Sequence, residues 1–377
     1  MASNVRSAAP RGPDIWLVGA AAVLTAIGLV MIFSASSATA YAMHHDALYY
    51  LKRQAVWLLV ACGAAVLAYR FDYRKLRRTG PAALLLTLGV LILVLIPHIG
   101  LRANGAQRWL GSGAFSIQPS EFAKLGLVVY LAAALDAKGE LIRSFTKGLF
   151  PLAVAVGACA LLIFKEPDVG TASLVVFTAA AMFFAAGARV MHLGAVAFAT
   201  IPILVFSFLH KGGYESKRLL AFLNPWADEQ GAGYHIVQSL LALGSGGVSG
   251  VGLGFSVIKY FYLPEAHTDF IAAVLGEELG FAGTTLVVAL FVLLAYRAVR
   301  IALTSSDRFG FLLAIGCTAT IVIQAFVNLG VITSTWPVTG VPLPFLSFGG
   351  SSLVVSLVCI GLLANIGRRR TSRGSRA

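Results

Sequence analysis

Apolar runs of nearly the length that crosses a lipid bilayer recur from one end of this chain to the other. Of its 377 residues, 58% are hydrophobic and only 12% are charged. A transmembrane helix needs about 20 mostly apolar residues, and a water-soluble domain cannot bury so much apolar surface. The sequence therefore predicts an all-α polytopic membrane protein.

Ten such runs are separated by charged or turn-forming residues, which predicts ten transmembrane helices. An even number places both termini on one side of the membrane, and most of the 29 Lys and Arg residues then fall on that side. By the positive-inside rule this side is the cytoplasm. The net charge of +13 thus reflects topology and anionic lipid headgroups, and no nucleic-acid partner is predicted. The predicted spans are residues 15–34, 55–70, 81–97, 120–136, 148–165, 169–187, 190–209, 270–297, 309–330 and 345–366.

These spans divide the chain into three regions. Residues 1–14 are a cytoplasmic N-terminal tail, residues 15–366 a single membrane domain, and residues 367–377 a basic cytoplasmic tail. Within the domain, residues 210–269 form a large extracytoplasmic loop between the seventh and eighth helices. Loops of this length usually carry function. The apolar stretch 234–243 predicts a short helix at the membrane interface.

A glycine-rich segment at residues 244–254 follows this stretch and contains six glycines. Such a segment can bring backbone close to a ligand, or it can be a flexible or tightly turned connector. The sequence leaves both interpretations open.

The cysteines and histidines do not predict a disulfide or a metal site. All four cysteines lie inside apolar runs, where they behave as small buried hydrophobes. His267 has no second histidine at the spacing of metal ligands. We therefore expect no resident metal from the ligand pattern.

An acid-rich stretch at residues 262–270 directly precedes the eighth predicted span. It contains Glu265, His267 and Asp269. Charged groups at a bilayer boundary are costly, so they call for a functional explanation. Asp269 is either an N-cap of the following helix or a catalytic carboxylate, and the residues alone leave both roles open.

Two charged residues begin the fourth span on the same predicted outer face. Glu121 and Lys124 are three residues apart, so they share a helix face and can form an ion pair. Their role is either a structural cap or the lining of a polar pocket. A lysine one turn inside a membrane helix needs a partner or a polar cavity, which favours the pocket.

Two further outer segments carry polar residues. Asp168 is predicted to cap the sixth span, and Lys165 is a cation on the same side as Asp269. Residues 342–352, which include Ser351, combine prolines, glycines and hydroxyls. This composition predicts an unwound segment, which membrane proteins tolerate only where it lines a cavity.

Three sequence runs stand in the order found in the SEDS family of bacterial cell-wall membrane proteins, which includes FtsW and RodA. They are residues 224–228 (NPWAD), 233–239 (GYHIVQS) and 263–270 (LPEAHTDF). The resemblance extends from residues 52–54 to residues 349–352. Ala266 together with residues 276–280 makes the chain similar to the FtsW-like members.

The resemblance implies a ten-helix peptidoglycan glycosyltransferase that polymerises lipid II on the outer face of the bacterial cytoplasmic membrane. It also implies a place at the division septum, an FtsI-like class B penicillin-binding transpeptidase as partner, and other divisome membrane proteins. Within the family, the residue matching Asp269 is catalytic, and the pair matching Glu121 and Lys124 is important for activity. Arg53 and Arg108 fall in segments that line the same outer cavity.

Other functions remain open at this point. A lipid II flippase would have the same spans and polar cavity, but it needs a route to the cytoplasmic face, whereas the polar groups gather on the outer side. A RodA-like elongation polymerase is a further alternative, because only the resemblance to FtsW-like members favours a division enzyme over an elongation enzyme. A scaffold that only recruits the transpeptidase would tolerate the loss of Asp269.

The chemistry of polymerisation suggests a role for each candidate group. The 4-hydroxyl of a lipid II sugar joins the anomeric carbon of the growing strand, and an α-linked undecaprenyl diphosphate leaves as a β link forms. One inversion implies one direct displacement, which needs a base, and we assign that role to Asp269. The departing diphosphate needs positive charge. Its candidate sources are Lys124, Lys165, Arg53, Arg108 and Lys259, or a divalent cation such as Mg²⁺ or Mn²⁺.

Overall fold

The regular structure of this protein is almost entirely helical. The computed structural model describes residues 12–103, 106–111, 116–192, 194, 221–260 and 262–369. The main elements of this part of the chain are α1 (Ile15–His44), α2 (Tyr49–Arg70), α3 (Leu76–Leu95), β1 (Leu101–Ala103), β2 (Ala106–Trp109), α4 (Pro119–Lys138), α5 (Phe150–Lys165), α6 (Val169–Ala185), α7 (Tyr234–Gly246), α8 (Ile271–Leu303), α9 (Arg308–Ile332) and α10 (Gly350–Arg368). Shorter helical turns are Tyr73–Lys75, Gly139–Arg143, Phe145–Leu149 and Pro225–Asp228.

Seven of the described helices are long and apolar enough to cross a membrane, namely α1, α2, α3, α5, α8, α9 and α10. Helix α6 is apolar but has 17 residues, and α4 has 20 residues with charged side chains near both ends. Every predicted span except the seventh therefore corresponds to a described helix, which confirms the all-α polytopic fold. The seventh span, residues 190–209, lies mostly outside the described residues. The short helix predicted in the large loop is α7.

The starts of three helices follow from local capping chemistry. The side chain of Asp14 accepts a hydrogen bond from Leu17 N at the start of α1, and Asp307 accepts one from Gly310 N at the start of α9. Pro119 occupies the first turn of α4, where its missing N–H has no helical partner to lose. The sequence thus fixes these helix starts through side chains that satisfy free backbone N–H groups.

The helix termini gather at two ends of the bundle. The terminal end contains the start of α1 and the end of α10, and ion pairs between elements tie it together. The Asp269 end contains the β1–β2 hairpin and the connections before α4, α6, α8 and α10. The ion pairs of the terminal end are Arg297–Asp14 at 2.6 Å, Arg77–Asp136 at 2.8 Å, Arg369–Asp72 at 2.8 Å and Arg74–Asp307 at 3.4 Å.

Helix α8 is broken at Gly280, whose φ of 66° and ψ of −163° are not helical. The glycine-rich segment fills the break with residues 247–252. Two of its backbone N–H groups donate to the carbonyls of Glu277 and Glu278, at 3.0 Å each, and one of its carbonyls accepts from Phe281 N at 2.9 Å. The segment is therefore a tightly turned connector held on α8, one of the two interpretations that its composition allowed.

The connection between α9 and α10 runs without helix through residues 333–349 and enters the protein interior. Phe345 and Leu346 are buried there against α1. A Cβ atom at Gly28 of α1 would lie 2.4 Å from the Phe345 carbonyl oxygen, so only glycine permits this approach. The unwound segment predicted for this region is present, and protein covers it on the α1 side.

Candidate functional site

Asp269 lies two residues before the first residue of α8 and is half-buried. The connection between α9 and α10 passes beside it, because a Cβ atom at Gly340 would lie 3.4 Å from Asp269 Oδ2. Gly340 has a φ of +67° and no side chain, so the carboxylate lies against bare backbone. Asp269 is therefore placed at the margin of the protein interior.

Asn328 of α9 holds the backbone of Asp269 in place. Its Nδ2 donates to the carbonyl oxygens of Asp269 at 2.7 Å and of Val341 at 2.8 Å. The Asn328 side chain is 1% exposed, so this double hydrogen bond is shielded from solvent. A buried amide thus joins three parts of the fold at the candidate catalytic residue.

Gln324, one helical turn from Asn328, connects the predicted Glu121 and Lys124 pair to the same connection. The ion pair is present, with Lys124 Nζ 2.9 Å from Glu121 Oε1, and both side chains are buried. Lys124 also donates to Gln324 Oε1 at 2.6 Å. Gln324 Nε2 in turn donates to the Pro342 carbonyl at 2.8 Å and to Ser352 Oγ at 3.1 Å. The pair therefore supports the site from inside the bundle.

Arg108 of β2 anchors the hairpin to the turn between α5 and α6. Its Nε donates to the Glu166 carbonyl at 2.9 Å, and its guanidinium also donates to the Pro167 carbonyl. Arg53 of α2 reaches the strand region too, with a guanidinium nitrogen 3.3 Å from Ser116 Oγ. Both arginines are half-buried at the Asp269 end.

The α5–α6 turn contains two buried acids with different surroundings. Asp168 caps α6 as predicted, since its Oδ1 accepts from Thr171 N at 3.0 Å. Glu166 is 0% exposed, and neither of its carboxyl oxygens accepts a hydrogen bond from the described residues. Burial, reinforced by the charge of Asp168, raises the pKa of Glu166 to about 8, although Arg108 opposes the shift.

Gln118 and the first turn of α10 join the two groups of polar residues. Gln118 Nε2 donates to Asp168 Oδ2 at 3.1 Å, and Gln118 N donates to Ser351 Oγ at 3.0 Å. The neighbouring Ser352 accepts from Gln324. Ser351, a sequence candidate, therefore lies where the Arg108 group meets the Lys124 group.

His267 packs into an aromatic cluster between the Asp269 loop and α2. Its ring centroid lies 4.4 Å from that of Tyr50 and 5.7 Å from that of Phe348. Phe348 N also donates to the His267 carbonyl at 2.9 Å. Burial lowers the pKa of His267, and the nearby carboxylate of Glu265 opposes this shift. Glu265 itself is exposed and accepts a hydrogen bond from Thr268 at 2.8 Å.

Lys259 belongs to a different network. Its ammonium contacts Glu278 Oε1 at 3.0 Å, Ser34 Oγ at 3.1 Å and the Gly254 carbonyl at 2.6 Å. These contacts occupy three donors and hold the large loop on α1 and α8. Lys165, in contrast, is exposed at the end of α5. The structure thus does not bring Lys259 into the group around Asn328.

Sequence reasoning assigned no role to Asn328, Gln324, Gln118 or Glu166. The two amides on α9 offered one signal, since uncharged polar side chains four residues apart within an apolar span share a face and need partners. Among the described residues, no three or more His, Cys, Asp and Glu side chains are grouped so that they could hold a metal ion.

The fold and this site define an integral membrane protein whose polar network is buried beneath a half-buried aspartate at one end of a helical bundle. Comparison with known proteins is consistent with that class. Residues 15–372 match the family described as cell cycle proteins of the FtsW, RodA and SpoVE type.

Several relatives align over nearly the whole chain. A protein of Geobacter metallireducens named "Probable peptidoglycan glycosyltransferase FtsW" is 44% identical over 94% of this chain and 95% of its own length. Stage V sporulation protein E of Bacillus subtilis is 43% identical over 94% of this chain and 97% of its own.

Solved structures show the same architecture. One, which concerns the structural coordination of polymerization and crosslinking by a peptidoglycan synthase complex, contains a chain with a TM-score of 0.78 and 29% identity, covering 96% of this chain and 99% of the other. The crystal structure of Thermus thermophilus RodA gives a TM-score of 0.69 at 29% identity, covering 95% and 97%. The chain therefore belongs to the FtsW/RodA/SpoVE family, as its resemblance to the SEDS proteins indicated.

Proposed function

We propose that this chain is a peptidoglycan glycosyltransferase of the FtsW type, which polymerises lipid II with Asp269 as the base. The relatives named as glycosyltransferases support the reaction class. The observation that carries the assignment of Asp269 is its placement. The residue is half-buried beside Gly340, and Asn328 fixes its backbone to two other parts of the fold.

In this reaction Asp269 takes the proton of the acceptor 4-hydroxyl as the oxygen attacks the anomeric carbon of the donor. The bond from that carbon to undecaprenyl diphosphate breaks in the same step, so the configuration inverts from α to β. A diphosphate is a good leaving group, and it needs charge neutralisation more than a proton. A single carboxylate base with nearby cations is therefore sufficient for the chemistry.

The geometry separates the candidate cations into two groups. Lys124 and Lys259 are 3% and 4% exposed, and carboxylates already pair with both of them. Arg53 and Arg108 are half-buried at the Asp269 end, and Lys165 is exposed there. We assign diphosphate binding to the arginines and Lys165, and we assign the support of the site to Lys124 and of the large loop to Lys259.

The first test is a lipid II polymerisation assay on the purified chain with its transpeptidase partner, comparing wild type with Asp269→Asn. Loss of the proton acceptor should lower the rate by roughly 10²–10⁴-fold while thermal stability is unchanged. Asp46→Asn is the matched control, because Asp46 is a partly exposed carboxylate in the α1–α2 turn of the same end, where it pairs with Lys52. Glycan chains made equally fast by Asp269→Asn would remove Asp269 from the mechanism, and a wild-type chain that makes no glycan would favour a scaffold or flippase.

The cellular setting is part of the same proposal. We place both termini in the cytoplasm and the Asp269 end outside, with the protein at the division septum beside an FtsI-like class B penicillin-binding transpeptidase and other divisome proteins. Similarity to a chain of a peptidoglycan synthase complex supports such a partner. Co-purification of the two proteins, and a higher polymerisation rate in their presence, are the expected results.

A divalent cation such as Mg²⁺ or Mn²⁺ is a further proposal, as an ion that accompanies the diphosphate. Mg²⁺ is usually held by one or two carboxylates together with substrate phosphates. We expect a chelator to slow polymerisation and added Mg²⁺ or Mn²⁺ to restore it. A chelator that leaves the polymerisation rate unchanged would contradict a role for a divalent cation.

A further inference from the structure

A cavity of about 280 Å³ lies at the terminal end, between α3, α4 and the start of α9, far along the bundle from Asp269. Its volume is close to the lower end of the range for small-molecule sites. The cavity is lined by Arg74, Arg77, Arg78, Asp136, Asp307 and Phe309.

The two acids of this cavity are already committed to other groups. Asp136 pairs with Arg77 at 2.8 Å. Asp307 caps α9 through Gly310 N at 2.7 Å and accepts from Tyr73 OH at 2.5 Å. It also lies 3.4 Å from Arg74 Nε.

Three guanidinium groups therefore face two engaged carboxylates, which leaves the cavity with net positive charge. Arg78 is exposed and forms no ion pair with a described carboxylate. The pairs of Arg74 and Arg77 also orient their guanidinium groups at the rim, so less side-chain freedom is lost when an anion binds. Planar forks of this kind bind phosphate oxygens through charge-assisted hydrogen bonds.

An apolar strip continues from Arg78 along the side of α3 that faces away from the helical bundle. Residues four, seven and eight positions further on share that face, and they are Ala82, Leu85 and Leu86. All three are exposed, with Leu85 at 71% and Leu86 at 69%. A phosphate bound by the arginines would therefore stand directly above a strip that suits acyl chains.

We propose that this cavity is a binding site for the phosphate of an anionic phospholipid, with Arg74, Arg77 and Arg78 around the headgroup and the α3 strip beside its acyl chains. A basic cavity between transmembrane helices at the cytoplasmic side is a typical headgroup site. The same phosphate chemistry would suit a soluble phosphate, but the apolar strip favours the lipid. The inference rests on the proposed orientation, with the terminal end in the cytoplasm, and does not depend on the catalytic role of Asp269.

The test is native mass spectrometry of the full chain in detergent, incubated with phosphatidylglycerol, with phosphatidylcholine, or with inorganic phosphate. Wild type should retain one phosphatidylglycerol and little phosphatidylcholine. Arg78→Gln should weaken this binding by on the order of tenfold, and Arg78→Lys, which keeps the charge but not the planar fork, should weaken it less. Arg70→Gln is the matched control, because Arg70 is an exposed arginine of the terminal end outside the cavity.

Three results would overturn the proposal. The first is equal retention of phosphatidylglycerol by wild type and Arg78→Gln. The second is an equal loss with Arg70→Gln, which would show only a general effect of charge. The third is displacement of the lipid by millimolar inorganic phosphate, which would assign the cavity to a soluble anion.

Discussion

Asn328 shows how an uncharged side chain inside a membrane helix can position a charged residue that lies on another element. Its two hydrogen bonds satisfy the carbonyls of Asp269 and Val341. Truncation to alanine leaves both carbonyls without this donor in a buried environment, at a cost of about 1–3 kcal/mol each. The backbone of Asp269 then loses its fixed position relative to the α9–α10 connection.

We expect Asn328→Ala to lower the polymerisation rate at saturating lipid II by about tenfold or more. Asn365→Ala is a matched control, because Asn365 is a buried amide on α10 whose Nδ2 donates to the carbonyls of Ala68 and Phe71 at the terminal end. Both variants should lose a similar amount of thermal stability, and only Asn328→Ala should lose rate beyond that. Equal rate losses in the two variants would show that Asn328 acts through stability alone.

A second prediction for a single residue concerns Glu166 and the pH dependence of thermal stability. Its pKa is raised from 4.5 to about 8 in the folded protein, mainly by burial, so the folded state holds a proton that the unfolded state releases. The contribution of protonated Glu166 to the free energy of unfolding is complete below about pH 4.5 and is lost as the pH rises toward 8. Glu166→Gln removes this titration.

The variant should therefore gain thermal stability relative to wild type as the pH is raised from 5 to 8. The measurement is the melting temperature of both proteins at each pH. Glu140→Gln, at an exposed position in the α4–α5 connection, should show no such trend. A difference between Glu166→Gln and wild type that is the same at both pH values would contradict the raised pKa.

Residue-level prediction succeeded where the partner is close in sequence. The Asp168 cap and the Glu121–Lys124 pair each join residues three positions apart, and helix geometry alone determines such contacts. Asn328 reaches a carbonyl 59 residues away. That contact depends on which helices are neighbours, and no local pattern contains this information.

At the scale of elements, the approach of the α9–α10 connection to α1 can be tested with two glycines on one helix. A Cβ atom at Gly28 would lie 2.4 Å from the Phe345 carbonyl, whereas one at Gly19 would have no neighbour within 4 Å. Gly28→Ala should shift the connection, lower thermal stability and reduce polymerisation. Gly19→Ala should be neutral or slightly stabilising, because alanine favours helix by about 1 kcal/mol. Equal effects of the two substitutions would contradict the close approach.

Element boundaries differ from the predicted spans in an informative way. Helix α1 continues to His44, ten residues beyond the predicted end, because small residues such as Ala35 and Ala40 pack in the interior even though the run is no longer strongly apolar. The last helix begins at Gly350 instead of residue 345, since the residues before it pack as unwound chain. A hydropathy pattern predicts which residues lie in apolar surroundings. It does not predict whether the backbone of those residues is helical or is unwound and buried in protein.

At the scale of the whole molecule, the length of the apolar runs was sufficient to predict the class of fold, because almost only helices and closed barrels can span a bilayer. The arrangement of the helices did not follow, since lipid-facing and protein-facing surfaces are both apolar. Helices α9 and α10 are mostly buried and α2 and α3 mostly exposed, yet the mean hydropathy of the four spans lies in the narrow range from 1.5 to 2.1. The central position of α9, and with it the site residues that α9 contributes, needed the structure.

The break in α8 has a mechanical consequence. Backbone hydrogen bonds and the buried Lys259–Glu278 pair fasten residues 247–260 to the first turns of that helix, and Asp269 immediately precedes those turns. The same segment accepts hydrogen bonds from Phe281 N and Ala282 N beyond Gly280, so it joins the two halves of α8 to each other as well as to the loop. Residues 247–260 and the start of α8 therefore form one connected unit, and Phe255 and Val257 lie on its exposed surface.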